Sequence, residues 1–241
     1  MQDVSDQYAC LSLQGPNARN ALQQVCETDL SAETFTFGTG RFATVAGTQC
    51  WLQRLSYVGE LGWEIFAPSD AAVGVFTTIQ QAGAEYDIVN AGLHALNSLR
   101  LEKGFRHWGH DIGAEDNLFE AGLSFSAKPD ASNFLGRDAF LAQKRAGLPS
   151  RRLVQFLLND PEPLLYHNES ICMGEVVGYL TSGMYAHSLG GAIGMGYVSK
   201  PELTAAALES ASFEIEVARE RFAARASLKP FYDPSGKRMK M

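Results

Sequence analysis

The chain has 241 residues, of which 46% are hydrophobic and 20% are charged, so it is long enough to bury a core and is not composed like a disordered protein. Its net charge of −7 argues against a protein that binds nucleic acid by electrostatic attraction. No apolar run approaches the roughly 18 residues of a membrane-spanning helix. We therefore expect a cytoplasmic protein, or one of the mitochondrial matrix if the source is eukaryotic, with neither nucleic acid nor membrane as a partner.

The four cysteines indicate a reducing compartment. They are Cys10, Cys26, Cys50 and Cys172, and no two of them form a C-x-x-C pair. Cysteines spaced in this way are typical of small buried hydrophobic residues, and neither a disulfide framework nor a metal site is predicted from them.

The first part of the chain alternates predicted strands and helices. A strand pattern begins near Asp3 and ends at Gln14, and a helix follows Pro16, because proline fits a first helical position. The next predicted strands are residues 42–46, 51–57 and 62–67. Ser69 is expected to cap a helix that ends near Gly83. This order is typical of an α+β fold, and we predict a ferredoxin-like α/β sandwich.

A further helix is predicted over residues 90–103. At about 100° per residue, its apolar side is formed by three leucines, Leu93, Leu96 and Leu99. Arg100 projects into this side, and Glu102 points roughly the opposite way. A charged residue among leucines is rarely unpaired, so Arg100 belongs either to a structural ion pair or to a ligand site.

The character of the chain changes near residue 148. A short amphipathic helix over residues 137–146 is followed by short predicted strands separated by turn residues. These strands are residues 152–158, 175–180, 192–197, 213–217 and 221–227. Their rhythm fits a small antiparallel β-barrel or sandwich, and we predict the barrel. We therefore divide the chain into a domain over residues 1–147 and a C-terminal barrel domain over residues 148–241.

Two segments hold the polar groups of a candidate ligand site. Residues 55–66 (LSYVGELGWEIF) contain Tyr57 and Glu64, and residues 98–104 (SLRLEKG) contain Arg100. A phenol, a carboxylate and a guanidinium among apolar residues suit a flat heterocycle that needs stacking and several directed hydrogen bonds. A simpler alternative is that Tyr57 is a cross-strand aromatic and Glu64 a solvent-facing hairpin residue.

The sequence contains none of the common motifs for self-contained catalysis. No G-x-G-x-x-G follows a strand, no phosphate-binding P-loop is present, and no G-x-S-x-G nucleophile elbow occurs. Residues 107–111 (HWGHD) lack a third ligand at a spacing typical of metal sites, so we predict no metal. Catalysis here would therefore depend on positioning a cofactor.

Five motifs occur in the order found in one known family. They are residues 57–64 (YVGELGWE), 99–104 (LRLEKG), 119–123 (FEAGL), 134–138 (FLGRD) and 181–183 (TSG). The chain resembles the tetrahydrofolate-binding aminomethyltransferases, which include the glycine-cleavage T-protein and the C-terminal region of dimethylglycine and sarcosine dehydrogenases. The segments 161–169 and 228–234 look closer to the dehydrogenase branch.

The resemblance implies a folate site and a one-carbon transfer. In it, Glu64 hydrogen-bonds the amino and ring nitrogens of the pterin, Tyr57 flanks the folate, and Arg100 supports the site electrostatically. The intact enzyme would move a one-carbon unit from an aminomethyl or imine donor to tetrahydrofolate and give 5,10-methylenetetrahydrofolate. The alternative is a folate-binding or assembly module without catalysis.

The resemblance also implies that family members carry a further N-terminal segment, with the aspartate that acts at the folate amine. Asp3 and Asp6 lie at the wrong place to replace this aspartate, so the catalytic residue of the chain is unknown. We expect the isolated chain to be inactive, to use FAD only if an upstream domain supplies it, and to self-associate. Its expected partners are folate, a small amine-derived donor, and that segment or domain.

Overall fold

The computed structural model describes residues 2–130 and 134–241. Contacts within these residues divide the chain into two units. The first contains the residues up to Leu96 together with Ser235–Met241, and the second contains Asn97–Pro234. Among the helices of the described residues, none is long and apolar enough to cross a membrane.

The first unit contains a four-stranded antiparallel sheet with helices on one face. Its elements in chain order are β1 (Tyr8–Gln14), α1 (Ala18–Gln23), β2 (Gly40–Val45), β3 (Thr48–Gln53), β4 (Gly62–Pro68) and α2 (Ala72–Gly83). The strand order is β1-β4-β3-β2, so the second, third and fourth strands form a meander and β1 pairs with the last of them. The central strand β4 therefore has a neighbour on each side.

The alternation of residues along β4 separates a core face from an outer face. Trp63, Ile65 and Ala67 are buried in the core of this unit, together with residues of both helices. Glu64 and Phe66 alternate with them and lie on the opposite face, because successive side chains of a strand point to opposite sides.

The helix α3 (Leu93–Glu102) corrects the predicted helical wheel. Leu93 is 77% exposed, whereas the buried residues lie at the end of the helix and include Arg100 and Glu102. Leu93 is thus exposed although it was placed on the apolar side, and Glu102, on the opposite side of the predicted wheel, is buried as well. From Asn97 onward α3 belongs to the second unit and bonds to several parts of it, so burial changes along the helix axis rather than around it.

The second unit is built around a closed antiparallel barrel. Its elements are α4 (Arg137–Ala146), β5 (Arg152–Leu158), β6 (Ser170–Met173), β7 (Glu175–Ala186), β8 (Gly191–Val198), α5 (Ala205–Ser210), β9 (Phe213–Val217) and β10 (Glu220–Ser227). The strands close in the order β10-β5-β8-β7-β6-β9. The predicted fold class, an α+β region followed by a small antiparallel barrel, is confirmed. A last helix, α6 (Lys237–Lys240), belongs to the first unit.

Several local predictions were wrong for identifiable reasons. The Ser69 hydroxyl does not cap α2, because it donates to the main-chain oxygen of Asp6 at 2.9 Å. The strand predicted over 51–57 ends at Gln53, so residues 54–61 form a loop. Strand β6 was not predicted, because its four residues are too few to show a period-two alternation in the sequence.

Candidate functional site

Glu64 lies on the outer face of the sheet in the first unit. It stands opposite Ser12 of β1 and Gln53 of β3. Glu64 is partly buried, and its carboxylate forms no hydrogen bond or ion pair with any other described residue. Cys10 lies two residues before Ser12 on β1, and burial and, to a smaller degree, the Glu64 carboxylate raise the pKa of its thiol. A partly buried carboxylate without a partner is available to a donor from outside the chain.

Aromatic side chains continue this face away from Glu64. Phe66 follows on β4 and stands opposite Trp51 of β3. The ring of Trp51 makes an edge-to-face contact with Phe42 of β2, with centroids 5.0 Å apart and an angle of 71°. Phe42 is 60% exposed. The outer face therefore combines one carboxylate with an accessible aromatic row, which suits a flat ligand with hydrogen-bond donors on one edge.

Tyr57 lies in the loop between β3 and β4. A turn closes around it, because the Glu60 main-chain nitrogen donates to the Ser56 hydroxyl at 3.0 Å. Gly59 has a φ of 81°, a conformation that glycine adopts without steric cost. Tyr57 is partly buried and belongs to the same unit as Glu64. Gly59 therefore allows the backbone to make the turn that carries Tyr57, because its positive φ would strain other residues.

Arg100 belongs to the second unit, and its guanidinium is almost fully engaged there. Its side chain is 3% exposed and forms an ion pair with Asp111, whose side chain is 0% exposed. It also donates to the Ser182 hydroxyl at 2.8 Å and to the Phe105 main-chain oxygen at 3.1 Å. Only the Nε atom is buried without a partner among the described residues. The sequence left two interpretations of Arg100 open, a structural ion pair and a ligand site. These contacts agree with the structural ion pair.

A bulge in β7 completes the surroundings of Arg100. The register between β7 and β8 shifts between Leu180 and Ser182. A bulge brings neighbouring side chains toward the same side of a strand. As a result the Thr181 hydroxyl donates to Asp111 at 2.6 Å while Ser182 accepts from Arg100.

Asp111 also fixes a short exposed loop. Its carboxylate accepts a hydrogen bond from the His107 main-chain nitrogen at 2.9 Å. The rings of His107 and His110 lie 4.5 Å apart, and Trp108 between them is 67% exposed. Burial, more than the neighbouring His110, lowers the pKa of His107. No group of three or more metal-ligating side chains occurs among the described residues.

The structure thus places the three predicted site residues in two units. Tyr57 and Glu64 lie in the first unit, and Arg100 lies in the second. The aromatic neighbours Trp51 and Phe66 were not predicted as part of the site. The alternation of the β3–β4 hairpin would have identified them, because it pairs Trp51 with Phe66 and Gln53 with Glu64.

Comparison with known protein families identifies both parts of the chain. Residues 1–131 match the model of the GCVT N-terminal domain, which is more than half of the sequence. Residues 151–233 match the glycine cleavage T-protein C-terminal barrel domain. The chain belongs to the glycine cleavage T-protein family. The barrel of the second unit is therefore the C-terminal barrel of this family.

Individual relatives in the T-protein family differ in length and in name. The chain is 39% identical over 245 residues to the formaldehyde-forming 4-methylaminobutanoate oxidase of Paenarthrobacter nicotinovorans, with 99% of this chain and 28% of the oxidase covered. It is 38% identical to human mitochondrial sarcosine dehydrogenase, with 99% of this chain and 26% of the dehydrogenase covered. An aminomethyltransferase of Halothermothrix orenii is 39% identical, with 83% of this chain and 55% of the relative covered. The chain therefore spans about a quarter to a half of the length of these relatives.

A solved T-protein structure shows the same fold. The aminomethyltransferase T of the Bartonella henselae glycine cleavage system aligns with a TM-score of 0.67 at 19% identity, over 96% of this chain and 86% of that protein. At this identity the likeness supports the fold alone.

Proposed function

We propose that the chain is a tetrahydrofolate-binding aminomethyltransferase-like domain. In the intact enzyme it would receive a one-carbon unit from an aminomethyl or imine donor and place it on tetrahydrofolate, giving 5,10-methylenetetrahydrofolate. Family membership supports the reaction class. The observation that supports the binding site is that the Glu64 carboxylate has no partner among the residues that the structure describes.

The outer face of the first unit fits a pterin. The pterin edge offers an amino group and a ring N–H, and a carboxylate accepts two such donors side by side. Trp51 and Phe66 lie on the same face and offer ring surfaces for stacking. Tetrahydrofolate, when bound, supplies the secondary amines that accept the one-carbon unit. The role of Glu64 is to orient the pterin so that these amines meet the donor.

The role of Arg100 in binding stays a prediction. Asp111, Ser182 and Phe105 occupy its two terminal nitrogens, which leaves Nε as the group without a partner among the described residues. Arg100 is therefore engaged mainly within the second unit, where Asp111 balances much of its charge.

The names of the relatives indicate the class of donor. They include an oxidase of 4-methylaminobutanoate and dehydrogenases of sarcosine and dimethylglycine. The three compounds in these names are all N-methyl amines. We propose that the one-carbon donor is derived from such an amine, and that FAD is used only where the longer protein carries a domain for it. The domain division near residue 148, the upstream catalytic aspartate and self-association likewise remain predictions.

Calorimetric titration of the full chain with folinic acid, a stable tetrahydrofolate analogue, tests the proposal. We expect Glu64→Ala to weaken binding by about 1.5–3 kcal/mol, because a hydrogen bond to a charged group is lost. The matched control is Glu220→Ala, which removes an exposed carboxylate of β10 and should leave affinity unchanged. Equal affinities of wild type and Glu64→Ala would remove Glu64 from the site.

A reconstitution assay distinguishes an enzyme from a module that binds folate without catalysis. The N-terminal part of a related aminomethyltransferase is added in trans together with tetrahydrofolate and an aminomethyl donor, and 5,10-methylenetetrahydrofolate is measured. Formation of the product favours the enzyme, and binding without product favours the non-catalytic alternative.

A further inference from the structure

Residues 235–241 return to the first unit and contact the loop that carries Tyr57. The Arg238 guanidinium of α6 lies 3.3 Å and 3.4 Å from the two carboxylate oxygens of Glu60. The Glu60 side chain is 15% exposed and that of Arg238 is 47% exposed. The ion pair is therefore partly shielded from water, which makes it stronger than a fully exposed pair.

Two more contacts anchor this segment on the same unit. The guanidinium groups of Arg19 and Arg54 both donate to the main-chain oxygen of Met241. Arg54 directly follows β3 and is 1% exposed, so the segment is held where the Tyr57 loop begins. Met239 of α6 is 8% exposed and packs into this unit. Residues 235–241 are thus held by several contacts, and Arg238 extends from an anchored helix.

Glu60 is one point at which this anchoring reaches the loop that carries Tyr57. The main-chain bond from Glu60 to the Ser56 hydroxyl closes a five-residue turn, and Tyr57 lies inside it. The two ends of the loop are fixed independently, since Arg54 bonds Thr39 and Gly38 through its main chain and Leu61 accepts from Gly15. The side chain of Glu60 therefore adds a tether in the middle of a loop whose ends are already fixed.

From these contacts we propose that Arg238 is a positioning residue of the candidate site. Through its ion pair with Glu60 it holds the turn over residues 56–60, and with it Tyr57, in the conformation that receives the pterin. This role rests on the proposed folate function, and it makes α6 a part of the site without contact between Arg238 and the ligand.

Amide hydrogen exchange of the ligand-free chain tests the positioning directly. In Arg238→Ala we expect the amides of Val58, Gly59 and Glu60 to exchange about fivefold faster, because the turn opens more often when its tether is lost. The matched control is Arg221→Ala, which removes a guanidinium of similar exposure that pairs with Glu214 and Glu216 in the barrel. It should leave these amides unchanged.

Titration with folinic acid then tests the consequence for binding. We expect about three- to tenfold weaker affinity in Arg238→Ala and in Glu60→Gln, and recovery in the double variant Glu60→Arg with Arg238→Glu, which restores the pair with reversed charges. Arg238→Lys should bind nearly as well as wild type.

The outcomes separate this inference from the proposed function. Absence of folinic acid binding in wild type would overturn the folate function, while the exchange experiment would still decide whether Arg238 holds the turn. Unchanged exchange at Val58–Glu60 in Arg238→Ala would overturn the positioning role. Weaker binding that the reversed pair does not recover would also overturn it, because Arg238 would then act on the ligand itself.

Discussion

At the scale of single residues, the molecule uses its buried charges in two different ways. Arg100 and Asp111 satisfy each other inside the second unit, whereas Glu64 lies at a partly buried position with no partner among the described residues. Leaving a carboxylate unpaired costs free energy unless water or a ligand supplies donors. This contrast motivates the proposed binding role of Glu64, whereas the contacts of Arg100 are those of a structural ion pair.

The Arg100–Asp111 pair gives a stability prediction. Asp111→Asn should lower the free energy of unfolding by about 3–5 kcal/mol, because it leaves a buried guanidinium without a counter-charge. Urea denaturation measures this change. Glu175→Gln, which breaks the pair between Lys200 and an exposed Glu175 side chain, should cost less than about 1 kcal/mol. Equal losses in the two variants would contradict the structural role of Asp111.

Sequence reasoning identified the residues of this network only in part. The helical position of Arg100 showed that it needed a partner, but its partners lie 11 and 82 positions away. Ser182 reaches Arg100 because of a bulge that the strand pattern does not reveal.

The Arg238–Glu60 pair could not be predicted from the sequence either. The two residues are 178 positions apart, and no local signal in the sequence connects them. Local alternation, in contrast, predicted the strand that carries Glu64.

At the scale of elements, the barrel depends on close approach between β7 and β8. The two strands pair through most of their length, and a glycine at position 196 faces Tyr179 and Leu180. In the glycine-rich run 190–196, only Gly190 precedes the strand, which the sequence predicted over residues 192–197. The remaining residues belong to β8, where a small residue allows the neighbouring backbone to come near.

Gly196→Ala should therefore destabilise the barrel strongly. A Cβ atom at this position would lie 2.3 Å from the Tyr179 main-chain oxygen, so the backbone must shift. We expect a loss of about 1–3 kcal/mol or more in chemical denaturation, the range for an overpacked core. Gly191→Ala in the same strand is the matched control, since its Cβ would meet its nearest atoms at 3.6 Å. Similar stability of the two variants would show that β7 and β8 adapt easily.

At the scale of the whole molecule, stability should fall at alkaline pH. Burial raises the pKa of the Cys26 and Cys50 thiols in the core of the first unit. An unfolded thiol ionises near pH 8.5, so the stabilisation is fully present below about that pH and is lost as pH rises through the raised folded values. Urea midpoints at pH 7 and pH 9.5 measure the loss. The double variant Cys26→Ala with Cys50→Ala should be less stable at pH 7 but should lose less on alkalinisation, and an identical loss would contradict this cause.

The family assignment covers both units, and the sequence predicted the fold class because strand and helix periodicities are local. The proposed function is less local, because it requires a carboxylate on the outer face of one sheet to receive a pterin. A crystal structure of the full chain grown with folinic acid tests this claim most directly. We predict that the amino and ring nitrogens of the pterin lie about 2.7–3.2 Å from the Glu64 carboxylate, with Tyr57 beside the ligand. Density for folinic acid at another place, with Glu64 still unpaired, would contradict the account.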